Sequence, residues 1–435
     1  MKISVLSVFP ELYDTFLNTS LVKRAAGKGL VDFSVDSFKS FVAPKERIDA
    51  PTFGHGAGMV IRAEVVQKAV EASEKKCGKS FKIFFSPQGK KLDQDLLKEI
   101  HQSAKKIGHI MLLPARYEGM DSRVEEHYAD EIISIGDFVL MGGDLPAMVF
   151  IEGFLRLIPG VVGKEESVQM ESFSGPFLDY PSYAEPVEWN GYKVPDVLRS
   201  GNHGAVDKWR MDQAAKKTIV THFDWLRLQQ VTDEEKQLAK KFIPNHYAAL
   251  MHYEVLVGES KEEGKTSVTS LDVHDIARSA KTFGIKNHFI VTPLIDQQKI
   301  VKKILGFWQS DIGLDYNKSR FESVKNVRLA SSIEDVISAI EEKEGKKPII
   351  IVTSAKSYQK DNVISYHDHQ KIWSKNRPVL FVFGTGQGLS DVIIDQADYI
   401  LAPIEGFSDY NHLSVRSAAA IVFDRWLGIN SKKIK

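Results

Sequence analysis

The stretch Ser134-Ile135-Gly136-Asp137-Phe138-Val139-Leu140-Met141-Gly142-Gly143-Asp144-Leu145-Pro146 decides how this chain folds. It continues a β-rich run, Glu131 to Ile135, and enters a strongly apolar helix, Pro146 to Leu157, whose proline suits a first helical turn. Glycines between a strand and a helix bring bare backbone N–H groups toward a ligand. Two similar loops precede it, Ser86-Pro87-Gln88-Gly89 and Arg116-Tyr117-Glu118-Gly119, each closing a predicted strand, Lys82 to Phe85 and Ile110 to Leu113. Turn chemistry explains any one of them alone. Three at the carboxyl edge of one sheet predict a backbone-lined pocket for a flat, polar cofactor, with Phe138 and Leu140 as apolar walls.

Outward from these loops the pattern is α/β: strands at Lys2 to Val8 and Phe33 to Phe38, a helix opened by Pro10 and another over Ala63 to Lys75. The first domain is expected over 1–160. From 161 to 204 the chain is rich in Gly, Pro, Ser and acidic residues without periodicity, which predicts a mobile lid or linker of functional importance. Val206 to Gln230 and Asp233 to Phe242 read as helices, the second opened by a Thr232/Glu235 capping box, giving a small helical domain over 205–245. After Pro244 the alternation restarts, with strands at Tyr253 to Val257, His288 to Val291, Pro348 to Thr353, Pro378 to Phe383 and Tyr399 to Pro403. A second α/β domain therefore fills 251–435.

A length of 435 residues predicts two to four globular units, at about 100 to 200 residues each. Lys+Arg and Asp+Glu are both 57, with 25 basic and 23 acidic residues after Leu250, so neither half is a polycation. A nucleic-acid partner must be gripped by a local groove or a second subunit. Cys77 is the only cysteine, which rules out an intrachain disulfide or a multi-Cys zinc site. No apolar stretch approaches the roughly 18 residues of a membrane span, and Pro10, Glu11 and Asp14 interrupt the first apolar run. A reducing, cytoplasmic setting without membrane contact is expected.

Two other glycine motifs carry less. GESKEEGKT at Gly258 has five residues between its glycines where a P-loop needs four, and reads as a solvated hairpin turn. Gly384-Thr385-Gly386-Gln387-Gly388 follows a strand and precedes a helix, so it is either a tight βα turn or a nucleotide-binding loop. The second option would allow a nucleotide-dependent oxidoreductase.

Residues 1 to about 245 resemble the bacterial tRNA (guanine-N1)-methyltransferases of the SPOUT superfamily. The likeness rests on FPELYDTF at Phe9, GHGAGM at Gly54, SPQGKKLDQ at Ser86, RYEGMDSRV at Arg116, SIGDFVLMGGDLPAM at Ser134, RLIPGVVG at Arg156 and VPDVLRSGNH at Val194. It implies a trefoil-knotted parallel sheet, S-adenosylmethionine bound bent in the knot, and a homodimer with sites shared across subunits. Donor contacts fall on Pro87, Gly89, Ala115, Tyr117, Glu118, Ile135, Gly136, Asp137, Phe138, Val139, Leu140, Gly142, Gly143 and Pro146, most of them through backbone. Ala115 replaces the family's usual glycine and Phe138 its usual tyrosine.

The implied reaction is methylation of N1 of the guanine 3′ of the anticodon, tRNA position 37, which prevents frameshifting. Glu171 stands where the family carries a catalytic aspartate, as the general base that removes the N1 proton. Arg156 matches the arginine that stabilises charge on guanine O6. Gly58, Asp179, His203 and Arg210 are the implied substrate contacts, with Lys208, Lys216 and Lys217 adding a basic face; Glu185 replaces a usual arginine. Mg²⁺ is a candidate auxiliary ion, no resident metal site is expected, and the partner is tRNA and not DNA.

Residues 251–435 resemble a second SPOUT-type RNA methyltransferase family of unassigned substrate, through LDVHDIARSAKTFG at Leu271, VTPLIDQQ at Val291, FGTGQGL at Phe383, LAPIEG at Leu401 and DYNHLSVRSAAAI at Asp409. That resemblance implies a second donor pocket at Gly384, Gly386, Gly388, Pro403, Ile404, Asn411, Leu413 and Ser414, with Arg278 and Arg416 as candidate RNA or catalytic contacts, or else structural ion-pair residues. The rival reading for the whole chain is an RNA-binding or scaffold protein that keeps the donor pocket and has lost catalysis.

Overall fold

The computed structural model describes residues 1–54, 56, 58–163 and 171–429. Part of the GHGAGM loop (His55 and Ala57) and residues 164–170 of the expected lid lie outside the described residues. The chain divides into two compact units, Met1–Gly175 and Pro176–Lys435.

Seven strands are described in the first unit: β1 (Lys2–Ser7), β2 (Asp32–Ser37), β3 (Asp49–Pro51), β4 (Met59–Ile61), β5 (Phe81–Lys91), β6 (His109–Pro114) and β7 (Glu131–Ser134). Five form a parallel sheet in the order β2-β1-β6-β5-β7, and β3 and β4 form a separate hairpin. Successive residues of a strand face opposite sides, so an almost continuously apolar strand feeds two cores. In β6, Ile110 and Leu112 pack on the side covered by helices Gln94–Ile107 and Asp144–Leu155, whereas Met111 and Leu113 pack on the side of helix Ala63–Cys77. Both faces are dry, and the loops leaving the strands' carboxyl ends are free to build a site.

In the second unit a short hairpin, β8 (Glu188–Trp189) and β9 (Tyr192–Lys193), precedes the helices. The sheet strands are β10 (His246–Met251), β13 (His288–Val291), β14 (Val327–Ala330), β15 (Ile349–Thr353), β16 (Val363–Ile364), β17 (Val379–Gly384) and β18 (Tyr399–Leu401). They form a parallel sheet in the order β14-β13-β10-β17-β15-β18-β16. The strands β11 (Tyr253–Val257) and β12 (Glu262–Lys265) pair antiparallel, so the charged GESKEEGKT segment does turn a hairpin.

The expectation of a separate helical domain is revised. Helix His203–Thr221, the turn Phe223–Leu226 and helix Asp233–Lys240, with its Thr232/Glu235 capping box, lie in the second unit. Their Ala215, Ile219, Phe223 and Leu226 share one core with Phe381, Trp373 and Trp426. About forty residues cannot close a core alone, so the apolar face is buried against the following sheet. Arg227 completes the joint, donating from Nε to Gly428 O at 2.9 Å and from Nη2 to Asp424 O at 2.5 Å, at the carboxyl end of helix Val415–Leu427. The expected lid is also anchored at one point: Leu178 is buried, and its N–H donates to Thr218 Oγ1 at 2.8 Å.

Candidate active site

In the first unit the three glycine loops do converge. They enclose a cavity of about 360 Å³, lined by Pro87 in β5, by Ala115, Tyr117 and Glu118 after β6, and by the long loop after β7. That loop contributes Ile135, Gly136, Phe138, Val139, Leu140, Gly142 and Gly143, and Pro146 follows from the first turn of helix Asp144–Leu155. Gly143 N–H donates to Ala115 O at 2.7 Å and ties two of the loops together.

Gly89 and Asp137 are not among the lining residues. A Cβ on Gly89 would lie 2.6 Å from the backbone carbon of Ile132, so this glycine answers to the close passage of β5 along β7. The Asp137 side chain is 89% exposed and pairs with Lys91 Nζ at 3.0 Å.

Ser86 and Gln88 of the first loop also line the cavity, as do Ser122 and Glu125, which were not singled out from sequence. Ser122 and Glu125 sit on helix Ser122–Tyr128, capped by Asp121 directly after the Arg116–Gly119 loop, and that adjacency was the available signal. Glu118 and Glu125 are the charged side chains of the lining. Burial pushes the Glu125 carboxyl above its ordinary value. Gly58 belongs to the same neighbourhood, since a Cβ there would collide with the Glu118 side chain.

Arg156 and Glu171 come together. Arg156 caps the carboxyl end of helix Asp144–Leu155, and its Nη2 donates to Glu171 Oε1 in an ion pair. Pro146 and Arg156 stand at opposite ends of that helix, about 15 Å apart at 1.5 Å of rise per residue. Within one copy of the chain, the pair and the donor loops therefore flank the helix from its two ends.

Asp179, His203 and Arg210 lie in the second unit. His203 is the exposed first residue of helix His203–Thr221. The Arg210 guanidinium lies 4.9 Å from the Tyr180 ring centroid, next in chain to Asp179, and Tyr183 packs on Trp209 at 6.3 Å. Arg210 Nη1 also lies 3.4 Å from Asp207 Oδ1, so the guanidinium sits between an aromatic ring and a carboxylate.

Four backbone N–H groups of the loop after β17 are already engaged. Thr385 N–H donates to Met251 O, Gln387 N–H to Leu256 O, Gly388 N–H to Thr385 O and Ser390 N–H to Glu254 O. A Cβ on Gly386, at φ +60°, would lie 2.6 Å from Leu256 O. Two of these amides, those of Gln387 and Ser390, are spent on carbonyls of β11, which leaves fewer donors for a dinucleotide phosphate than a bare glycine loop would offer. Pro403 and Ile404 follow β18, Asn411 Nδ2 donates to Ala355 O at 3.1 Å, Leu413 is exposed, and Ser414 caps helix Val415–Leu427. Arg416 Nη1 donates to Asp272 Oδ1 at 3.1 Å. Arg278 is exposed on helix Ser270–Thr282.

Among the described residues no group of three or more His, Cys, Asp or Glu is placed to hold a metal ion. No helix among them is long and apolar enough to cross a membrane.

The family described as tRNA (Guanine-1)-methyltransferase TrmD matches residues 1–227, and that described as SAM-dependent RNA methyltransferase matches residues 245–428. The chain is 36% identical over 434 residues to the tRNA (guanine-N(1)-)-methyltransferase of Nitratidesulfovibrio vulgaris, covering 98% of this chain and 99% of that one. The protein of the same name from Oleidesulfovibrio alaskensis is 35% identical over 434 residues, with 98% and 99% covered. That from Carboxydothermus hydrogenoformans is 41% identical over 239 residues, 55% of this chain and 92% of its own. With its three glycine loops closed on one cavity and both halves matched, the chain belongs to the tRNA (guanine-1)-methyltransferase family and carries a SAM-dependent RNA methyltransferase domain behind it.

Proposed function

We propose that the protein methylates N1 of guanine in tRNA, at the guanine 3′ of the anticodon (position 37), with S-adenosylmethionine as donor. The relatives carry the guanine-N1 activity in their names; position 37 rests on the motif resemblance. The residues present fit the donor. A cavity of about 360 Å³ falls within the roughly 300–1,000 Å³ of small-ligand sites. Phe138, Val139 and Leu140 suit a purine face, backbone groups of Gly136, Gly142 and Gly143 suit its polar edge, and Glu118 and Glu125 suit a cationic ligand. When bound, S-adenosylmethionine supplies a methyl carbon attached to a positively charged sulfur.

Guanine N1 carries a proton at neutral pH and attacks poorly until it loses it. Glu171 takes that proton and leaves N1 a nucleophile toward the methyl carbon that a bound donor would supply, its sulfur keeping the bonding pair. Arg156, drawn from Glu171 to guanine O6, balances the charge left on the base. The observation that carries this reading is the Arg156–Glu171 pair, which joins an acid and a cation from separate segments.

A homodimer with shared sites accounts for the position of that pair. Helix Asp144–Leu155 leaves Leu145, Val149 and Glu152 exposed at spacings of four and three residues. Two such helices crossing about a two-fold axis bury that stripe and bring the Arg156 end of one copy to the donor-loop end of the other. Arg210, His203 and Asp179 hold the RNA, with Gly58 at the rim of the cavity. The second domain uses its own donor at the turn after β17 and the segment Pro403 to Ser414, through carbonyls and side chains. The test is Glu171→Gln: donor binding by calorimetry persists and tRNA methylation is lost, whereas retained turnover removes Glu171 as the base.

A further inference from the structure

The carboxylate of Asp144 is 1% exposed, and none of the chemistry above uses it. Three parts of the first unit aim donors at it. Ser7 Oγ, at the end of β1, donates to Oδ1 at 2.6 Å, and Tyr13 OH donates to the same oxygen at 3.2 Å. Arg116 Nε donates to Oδ2 at 2.8 Å. Burial and the Asp144 charge push the Tyr13 phenol up, so it remains a donor. The Arg116 guanidinium lies 4.9 Å from the Phe9 ring centroid, with Nη1 3.5 Å from Met141 O.

Asp144 does not line the cavity, yet the segments on either side of this latch do. Arg116 forms an antiparallel bridge with Gly142 and stands between the lining residues Ala115 and Tyr117. A Cβ on Gly142 would collide with the Arg116 side chain. Tyr117 is held at φ +59°, a left-handed conformation that a non-glycine residue keeps only when its surroundings impose it. The carboxylate, the guanidinium and this backbone turn form one connected support, with the ligand walls on its far side.

We propose that Asp144 is a positioning residue which, through Arg116, fixes the separation of the two donor-loop walls and so sets affinity for the methyl donor without taking part in transfer. This rests on the reading that the cavity takes S-adenosylmethionine. A carboxylate this deeply buried requires its donors, and Arg116 is the one that reaches into both walls. Loss of the latch lets the Arg116–Gly119 and Leu140–Gly143 loops move apart, which weakens a ligand held mostly by backbone. The proton transfer between guanine and Glu171 is untouched.

The test compares Asp144→Asn, Arg116→Gln and Arg116→Lys in the full chain, by calorimetric titration with S-adenosylmethionine and by kinetics on tRNA transcripts. Expected for the first two is a donor Kd and donor KM at least tenfold higher, with the tRNA KM within twofold and kcat at saturating donor within threefold. Arg116→Lys, which keeps the charge, recovers part of the donor affinity. Arg116→Gln leaves Asp144 its two hydroxyl donors and decides the matter if Asp144→Asn does not fold. Unchanged donor affinity in folded Arg116→Gln overturns the proposal, as does a uniform worsening of kcat and both KM values, the mark of a merely structural role. Absence of any donor heat in the unsubstituted protein overturns instead the donor reading beneath it.

Discussion

Arg156 and Glu171, fifteen residues apart in sequence, are ion-paired at the carboxyl end of the helix whose amino end walls the donor cavity. Their side chains are 41% and 32% exposed. A pair this accessible is worth at most about 1 kcal/mol, so an entering base can open it cheaply and take both partners.

Removing either partner therefore affects rate and not fold. Glu171→Gln and Arg156→Ala each lower kcat by about 100-fold or more, with melting temperatures within a few degrees of the parent. Glu171→Asp, the family's usual residue, keeps measurable turnover. Single-turnover methylation of a tRNA transcript reads all three; parent-like rates in Glu171→Gln would remove the general-base role.

If the proposed dimer shares its active sites between subunits, mixing two inactive variants has a quantitative signature. A Cβ on Gly143 would lie 2.9 Å from Ala115 N and Pro114 Cα, so Gly143→Leu wedges two walls of the cavity apart at a place remote from Glu171. Random mixing of Glu171→Gln and Gly143→Leu chains makes half the dimers mixed, each with one intact site of two, so activity recovers to about a quarter of the parent's. If each chain houses its own site, the mixture stays inactive.

Glu125 gives a pH-dependent prediction. Its carboxyl is raised by burial, so its contribution to stability is full below the unfolded value near pH 4.3 and declines as pH rises through the folded value. Glu125→Gln accordingly raises the melting temperature at pH 7 and leaves it unchanged near pH 4, while weakening binding of the cationic donor at pH 7. Equal melting temperatures at pH 7 would contradict the burial argument.

The second unit answers to acid in the opposite sense. Burial lowers His246 and His288 to about 3 and His252 and His369 to about 4. Their stabilising contribution is present above the unfolded value near pH 6.5 and is lost as pH falls toward those values. His246 shows the cause: burial disfavours its charged form even though Nδ1 donates to Pro244 O, and Nε2, which accepts from Trp426 Nε1, would lose that bond on protonation. All six tryptophans follow residue 175, so their fluorescence reports this unit alone. The urea midpoint should fall between pH 6.5 and 4; a flat midpoint would refute the account.

Arg227 tests the joint between the helices and the second sheet. Arg227→Met leaves carbonyls of Asp424, Arg425 and Gly428 without their donor and should cost roughly 3 kcal/mol in the tryptophan-monitored transition. An unchanged midpoint would mean that water replaces the guanidinium there.

Much of the glycine-loop cavity was legible in sequence because its walls are contiguous loops. Gly136, Phe138, Leu140, Gly142 and Gly143 are near neighbours in the chain, and the sheet had only to bring three such segments to one edge. Glu125 was not legible because it enters from a helix whose rotation is set by packing. The strand His246–Met251 carried no alternation to detect, since every one of its six residues is buried.

Local chemistry written in the sequence determined which residues turn, which face a dry sheet, and which glycines leave backbone open. Tertiary structure alone decided that helices 203–240 belong to the second unit, that two amides after β17 are spent on β11, and that Asp144 gathers Ser7, Tyr13 and Arg116. The physical reason is that burial and hydrogen-bond satisfaction are properties of the whole neighbourhood. A residue's partners across a hundred positions are chosen by which packing leaves no polar group unpaired and no apolar face wet.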